Sequence, residues 1–125
     1  MTSPDLSALE AKALVPARDF ELSRRFYQAV GFTLAWSTDD LAEMRHGQAA
    51  FLLQRFFVEP HARNFQMHLL VASADDWHDH LTRQGIAGTF SVGIGEPGDR
   101  PWGLRDFTLE DPSGVVWRIG HVIAP

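Results

Sequence analysis

Near the C-terminus, Phe107 and Leu109 alternate with Asp106, Thr108 and Glu110, the period-2 pattern of a strand with one buried face. Asp111-Pro112-Ser113-Gly114 follows, with Asp at i, Pro at i+1 and Gly at i+3 as a type I turn prefers. Val115 to Ile119 is β-branched and aromatic and suits a returning strand. The stretch therefore predicts a β-hairpin. Pro101-Trp102-Gly103 leads into it. Proline has no N–H to give a ladder, so this lip is expected outside the sheet, presenting Trp102 at an opening.

Upstream, residues 1–10 are polar and predict a loose segment or a short arm. Ala11 to Pro16 reads as a strand ended by Pro16. Asp19 is a good N-cap, Glu21 suits the first helical turn, and Phe20, Arg24, Tyr27 and Val30 lie near helical spacing. With Gly31 placed as a C′ residue, the pattern predicts a helix over 19–30, with Arg24 and Arg25 toward solvent. Strands are expected at Phe32–Ser37, Leu41–His46 and Ala49–Arg55, joined by turns at Thr38-Asp39-Asp40 and His46-Gly47-Gln48. Pro60 and Asn64 break the segment 56–64, where Phe56 and Phe57 are expected to pack at a subunit or module interface. The pattern then recurs. Gln66–Ala72 predicts a strand, Ser73 or Asp75 caps a helix with Trp77 and Leu81 on one face, and Gly85 ends it. Thr89–Ile94 predicts a further strand, and Gly93, Gly95 and Gly98 a mobile loop. His78 and His80, two apart, do not share a helix face and are expected to be solvated.

The order β-α-β-β-β thus occurs twice, over about 11–58 and 66–122, with a linker over about 56–66, in one domain of residues 1–125. The predicted class is α+β. Leu14-Val15, Asp19 and Gly31 are paralleled by Leu70-Val71, Asp75 and Gly85, the self-similarity of one unit used twice. Each unit exposes an apolar sheet face, and pairing two leaves a cleft suited to a small ligand.

Composition narrows the chemistry. The chain has 125 residues, enough to bury roughly two-thirds of its unfolded surface. It has no cysteine, which excludes disulfides, zinc thiolates and thiol nucleophiles. Met1 to Glu10 has neither a basic nor an apolar signal region, and no apolar run approaches the ~20 residues of a membrane span, so the cytoplasm is the expected location. A net charge of -5 argues against nucleic acid as partner and mildly favours a cationic ligand. Ser113 sits in a turn with no His at a recognisable spacing. Gly93-x-Gly95-x-x-Gly98 has a nucleotide-type spelling, but Pro97 and Pro101 interrupt the region and no helix is expected after it. No catalytic residue and no cofactor are expected.

Taken together, the two β-α-β-β-β modules, Val15-Pro16-Ala17-Arg18-Asp19 before a helix with Phe26-Tyr27 and the ending Val30-Gly31-Phe32, Pro101-Trp102-Gly103 and Asp111-Pro112-Ser113-Gly114 resemble the vicinal oxygen chelate superfamily. The likeness runs over about 11–121 and is greatest to its glyoxalase/bleomycin resistance branch. It implies paired modules forming a cup-shaped mixed sheet with flanking helices. It also implies a non-catalytic homodimer, often with an exchanged N-terminal strand, that sequesters flat cationic glycopeptide drugs of the bleomycin type in grooves at the dimer interface.

Metal-dependent relatives in that superfamily carry four ligands on the strands lining the cup. The resemblance carries these positions onto Lys12, Gln54, His68 and Arg118. Lys12 and Arg118 are cations without a free lone pair, so no metal site is expected, and His68 and Gln54 become wall residues. Arg118 is expected to pair with Glu110 or Asp106, or to meet an anionic group in the cleft. Of the four tryptophans, Trp77 and Trp117 are assigned to the core, while Trp36 and Trp102 fall at strand ends, where a flat cation can stack. Asp39, Asp40 and Glu43 could add negative charge beside Trp36. The expected ligand-binding set is Trp36, Asp39, Glu43, Gln54, His68, Trp102, Gly103 and Arg118. The competing functional reading is a metal-dependent glyoxalase- or dioxygenase-like enzyme, and a third is a partner-binding module using Phe56 and Phe57.

Overall fold

The computed structural model describes residues 3–123. The ends of the expected domain and arm, Met1, Thr2, Ala124 and Pro125, lie outside the described residues. Helix α1 (Phe20–Val30) begins where the Asp19 carboxylate accepts the Leu22 N–H, and it ends at Gly31, whose φ of 135° lets its N–H return to the Tyr27 carbonyl. Strands β1 (Leu14–Pro16), β2 (Thr33–Ser37), β3 (Leu41–His46) and β4 (Ala49–Gln54) form one sheet in the order β1-β4-β3-β2. Strands β5 (Gln66–Leu70), β6 (Gly98–Asp99), β7 (Leu104–Glu110) and β8 (Val116–Val122) form the second, in the order β5-β8-β7-β6. Among the described residues only β1–β4 and β5–β8 are parallel, so both sheets are mixed and repeat one topology, and neither closes on itself there. The expected α+β architecture of two β-α-β-β-β units is present.

Alternation decides which face of each strand enters the core. Ala42, Met44, Phe51 and Leu53 of the first sheet are buried, as are Leu69, Phe107, Leu109, Trp117 and Ile119 of the second. These faces share one core around α1. The Tyr27 ring lies 4.8 Å from Phe51 and 5.7 Å from Trp117, and Phe51 and Trp117 are 5.1 Å apart. A buried polar chain crosses it. The Trp117 Nε1–H donates to the Tyr27 hydroxyl at 2.9 Å, and that hydroxyl donates to Asp111 at 2.5 Å. Asp111 also accepts the N–H groups of Ser113 and Val115. Burial raises both the Asp111 carboxyl and the Tyr27 hydroxyl above their ordinary values. The predicted hairpin turn, closed by Gly114 N–H on the Asp111 carbonyl, is thereby fastened to the helix of the other module.

Several expectations change. Thr89–Ile94 is not a strand: Ile86–Phe90 forms a short helix, α4, because Ile86 is buried and Phe90 packs edge-on against Phe26 at 5.2 Å. Tertiary contact outweighs local propensity there. The glycine loop is tethered, with Gly95 N–H on the Thr108 carbonyl and Glu110 N–H on the Gly93 carbonyl. Helix α2 (Glu59–Arg63) occupies the linker; Pro60 sits in its first turn, where a missing N–H does no harm, and Asn64 caps its end. Phe57 joins the core under the Arg18 guanidinium, whereas Phe56 stays exposed. Helix α3 (Ala74–Arg83) is capped by Ser73, not Asp75, which pairs instead with Arg105. His78 and His80 are not simply solvated: His78 packs on Phe107, and His80 Nε2 lies 2.9 Å from the Val30 carbonyl.

Candidate functional site

The faces turned away from the core carry the candidate residues. In the first sheet, register pairs Trp36 with Glu43, Glu43 with Leu52 and Gln54 with Leu41, so Trp36, Glu43 and Gln54 share the outer face. A register shift between Leu34 and Trp36 turns Trp36 there, where it is 43% exposed. Asp39 follows in the β2–β3 turn. Its backbone carbonyl accepts from Arg55, while its carboxylate has no ion-pair partner among the described residues. Asp40 lies 3.6 Å from Arg55. Glu43 differs from its expected role. Its carboxylate is nearly buried, bonded to Lys12 and, at 2.9 Å, to the Arg45 guanidinium. Lys12 first and Arg45 second hold it below the usual glutamate range. Glu10 bonds the same two cations, at 3.3 Å for Lys12. The Glu43 charge is therefore already balanced, whereas the Asp39 carboxylate has no such cation among the described residues.

In the second sheet, His68 is the register partner of Arg118, and Arg118 of Thr108. All three share the outer face with Asp106, which lies opposite Gly120. Asp106 is only 1% exposed, and it gathers this face. It accepts the Arg100 Nε–H at 2.8 Å and the Trp102 Nε1–H at 3.4 Å, and it lies 3.6 Å from the Arg118 guanidinium. Of the partners expected for Arg118, Asp106 is the one it meets. The Arg118 guanidinium also sits 5.7 Å from the Trp102 ring centre, so the indole is held at its N–H and from one side while remaining 58% exposed. Gly103, at φ 84°, closes the lip by bonding the Arg100 carbonyl. Gly120 explains how a carboxylate fits so close to the strand: a Cβ there would stand 2.7 Å from the Asp106 Cβ. Arg100 and Gly120 were missed in the sequence, and Asp106 entered only as a partner for Arg118. The available signal was the lone glycine in a β-branched strand, which marks a close approach. His68 also lines a cleft of about 260 Å³ with Ala11, Ala50, Phe51 and Trp117.

The structure thus gathers Trp102, Gly103, Arg118 and His68 on one sheet, and Trp36, Asp39, Glu43 and Gln54 on the other. The four superfamily metal positions do not fit a divalent ion. Lys12 is bonded to Glu43, Arg118 is engaged by Asp106, and among the described residues no three His, Cys, Asp or Glu side chains could hold a metal.

Two β-α-β-β-β modules sharing one core define the paired-module class of α+β fold. The family model described as Glyoxalase/Bleomycin resistance protein/Dioxygenase superfamily matches residues 11–119, and the chain belongs to that superfamily. No curated protein sequence matches the chain. Among solved structures, a bleomycin-binding protein complexed with bleomycin is 23% identical with a TM-score of 0.79, covering 91% of this chain and 98% of that one. A bleomycin resistance determinant encoded on the transposon Tn5 is 23% identical with a TM-score of 0.78, covering 93% and 98%. The bleomycin-binding protein of bleomycin-producing Streptomyces verticillus, complexed with copper(II)-bleomycin, is 22% identical with a TM-score of 0.77, covering 97% and 100%. At these identities the likeness shows a shared fold. No helix among the described residues is long and apolar enough to cross a membrane.

Proposed function

We propose that this protein is a non-catalytic, cytoplasmic, small-molecule-binding protein of the bleomycin resistance type. It holds a flat, cationic, glycopeptide-like drug by aromatic stacking in a groove completed by a second copy of the chain. The observation that carries this reading is Trp102, an exposed indole braced by Asp106 and by Arg118, a cation standing at one of the metal positions. A braced ring stacks without first losing rotamer freedom. Trp36 and the free Asp39 carboxylate offer a second ring and a counter-charge. Leu14, Leu70 and Val122 are exposed on the same outer faces, the kind of apolar surface a second copy covers. The bleomycin-bound neighbours of the same fold add support. The enzyme alternative finds no support in the donor set, since Lys12 and Arg118 are both engaged by carboxylates.

Titration with bleomycin, followed by tryptophan fluorescence, tests the reading. Saturable quenching at micromolar drug is expected, and Trp102→Ala should weaken binding by about 1–3 kcal/mol, as for an interface hot spot. Absence of quenching, or a stoichiometric metal ion in protein purified without chelators, would overturn it.

A further inference from the structure

On the helix side of the first sheet, the face opposite Trp36, Val30, Gly31, His46, Asp76, Trp77 and His80 line a separate cleft of about 290 Å³, with neither Trp36 nor Trp102 in its wall. Three rings converge on Gly31. A Cβ built there would lie 3.8 Å from His80 Nε2, 3.8 Å from the Trp77 ring and 3.9 Å from His46 Nδ1. The last carbonyls of α1 fix both imidazoles. His46 Nδ1 is 2.9 Å from the Gly31 carbonyl, and His80 Nε2 is 2.9 Å from the Val30 carbonyl. A carbonyl only accepts, so these two nitrogens carry the protons. Each neutral ring then keeps one lone pair, at Nε2 of His46 and Nδ1 of His80, and neither has a partner among the described residues. Asp76 stands one turn before His80 on α3 and shares its face. Its carboxylate also has no hydrogen bond or ion pair among the described residues. The unengaged groups are thus two lone pairs and a negative charge, beside the indole of Trp77, whose ring lies 5.0 Å from His46 and 6.0 Å from His80.

We propose that this cleft is a binding site for a small organic ammonium ion. Its N–H groups donate to His46, His80 and Asp76, and its hydrocarbon body lies on Trp77. A cation answers both the acceptors and the indole face, and the volume suits a ligand of about one ring. The donor is an organic cation rather than a metal, because no three ligating side chains among the described residues are placed to hold one.

The probe is benzylammonium, added to the intact protein at mildly alkaline pH, where imidazoles are generally neutral and the amine is charged. The imidazole resonances of His46 and His80 and the indole resonance of Trp77 should shift saturably by NMR. Asp76→Asn, an exposed and isosteric change that leaves the fold intact, should weaken binding at least about tenfold. Trp102→Ala should leave it unchanged, so failure of the drug groove and failure of this site are distinguishable. The proposal is overturned by no saturable shift up to about 10 mM probe. It is equally overturned by neutral benzyl alcohol binding as well as benzylammonium, or by an unaltered affinity in Asp76→Asn.

Discussion

Asp106 and Gly120 form a pair whose consequences reach the proposed ligand face. The carboxylate can accept from Trp102 and face Arg100 and Arg118 only because its opposite residue has no side chain. Gly120→Ala would place a methyl against the Asp106 Cβ and, at 2.9 Å, the Arg105 carbonyl, atoms held by the ladder. We expect a loss of about 1–3 kcal/mol, as for overpacking, read from the urea midpoint, together with weaker drug binding as Trp102 loses its brace. Glu43 makes a different prediction. Its pairing with Lys12 and Arg45 lowers its proton affinity in the folded state. Its contribution to stability is therefore present above the usual glutamate range and disappears as pH falls through the lowered folded value. Melting temperatures of wild type and Glu43→Gln should differ most at neutral pH and converge in acid. A gap that persists unchanged in acid would contradict the assignment. Trp102 was legible from Pro-Trp-Gly, because a proline-led lip has to leave the sheet. The balance of charge around Glu43 was not, because Glu10, Lys12 and Arg45 are brought together only by pairing across strands.

Helix α1 joins the modules as well as covering its own sheet. Tyr27 accepts from Trp117 on β8 and donates to Asp111 at the β7–β8 turn. Tyr27→Phe keeps the ring but strands an indole N–H and a carboxylate oxygen inside the core. The expected loss is about 1–3 kcal/mol, measured by thermal or urea unfolding. An unchanged midpoint would show that the polar chain does not fasten the two halves. Elements set by local signals were readable: α1 from Asp19 and Gly31, and the hairpin from its alternation and Asp-Pro-Ser-Gly turn. Elements set by distant contacts were not. Ile86–Phe90 has β-branched and aromatic residues that suit a strand, yet it coils so that Phe90 reaches Phe26. The next chain segment, at Gly93 and Gly95, is tied to β7 by two backbone bonds despite its glycines.

Taken whole, the chain turns the apolar faces of two similar sheets into one core and leaves the two faces with the candidate residues outward. The doubled order of elements was visible in the sequence because each module repeats its own strand, helix and closing glycine, although Asp75, the counterpart of the Asp19 cap, pairs with Arg105 while Ser73 caps the helix. The division of the candidate residues between two outer faces was not, because alternation says which residues share a face but not which face meets the other module. The proposed groove combines Trp36 from one chain with Trp102 from another. Mixing two damaged proteins tests this most directly. Chains carrying Trp36→Ala and chains carrying Trp102→Ala are each expected to lose tight bleomycin binding. After joint refolding, every mixed dimer has one groove with both rings, so random pairing should restore about a quarter of the wild-type tight sites, counted by calorimetric titration. If the mixture binds no better than its components, the groove is not built from two chains, and the account of this protein as a shared drug-holding dimer is contradicted.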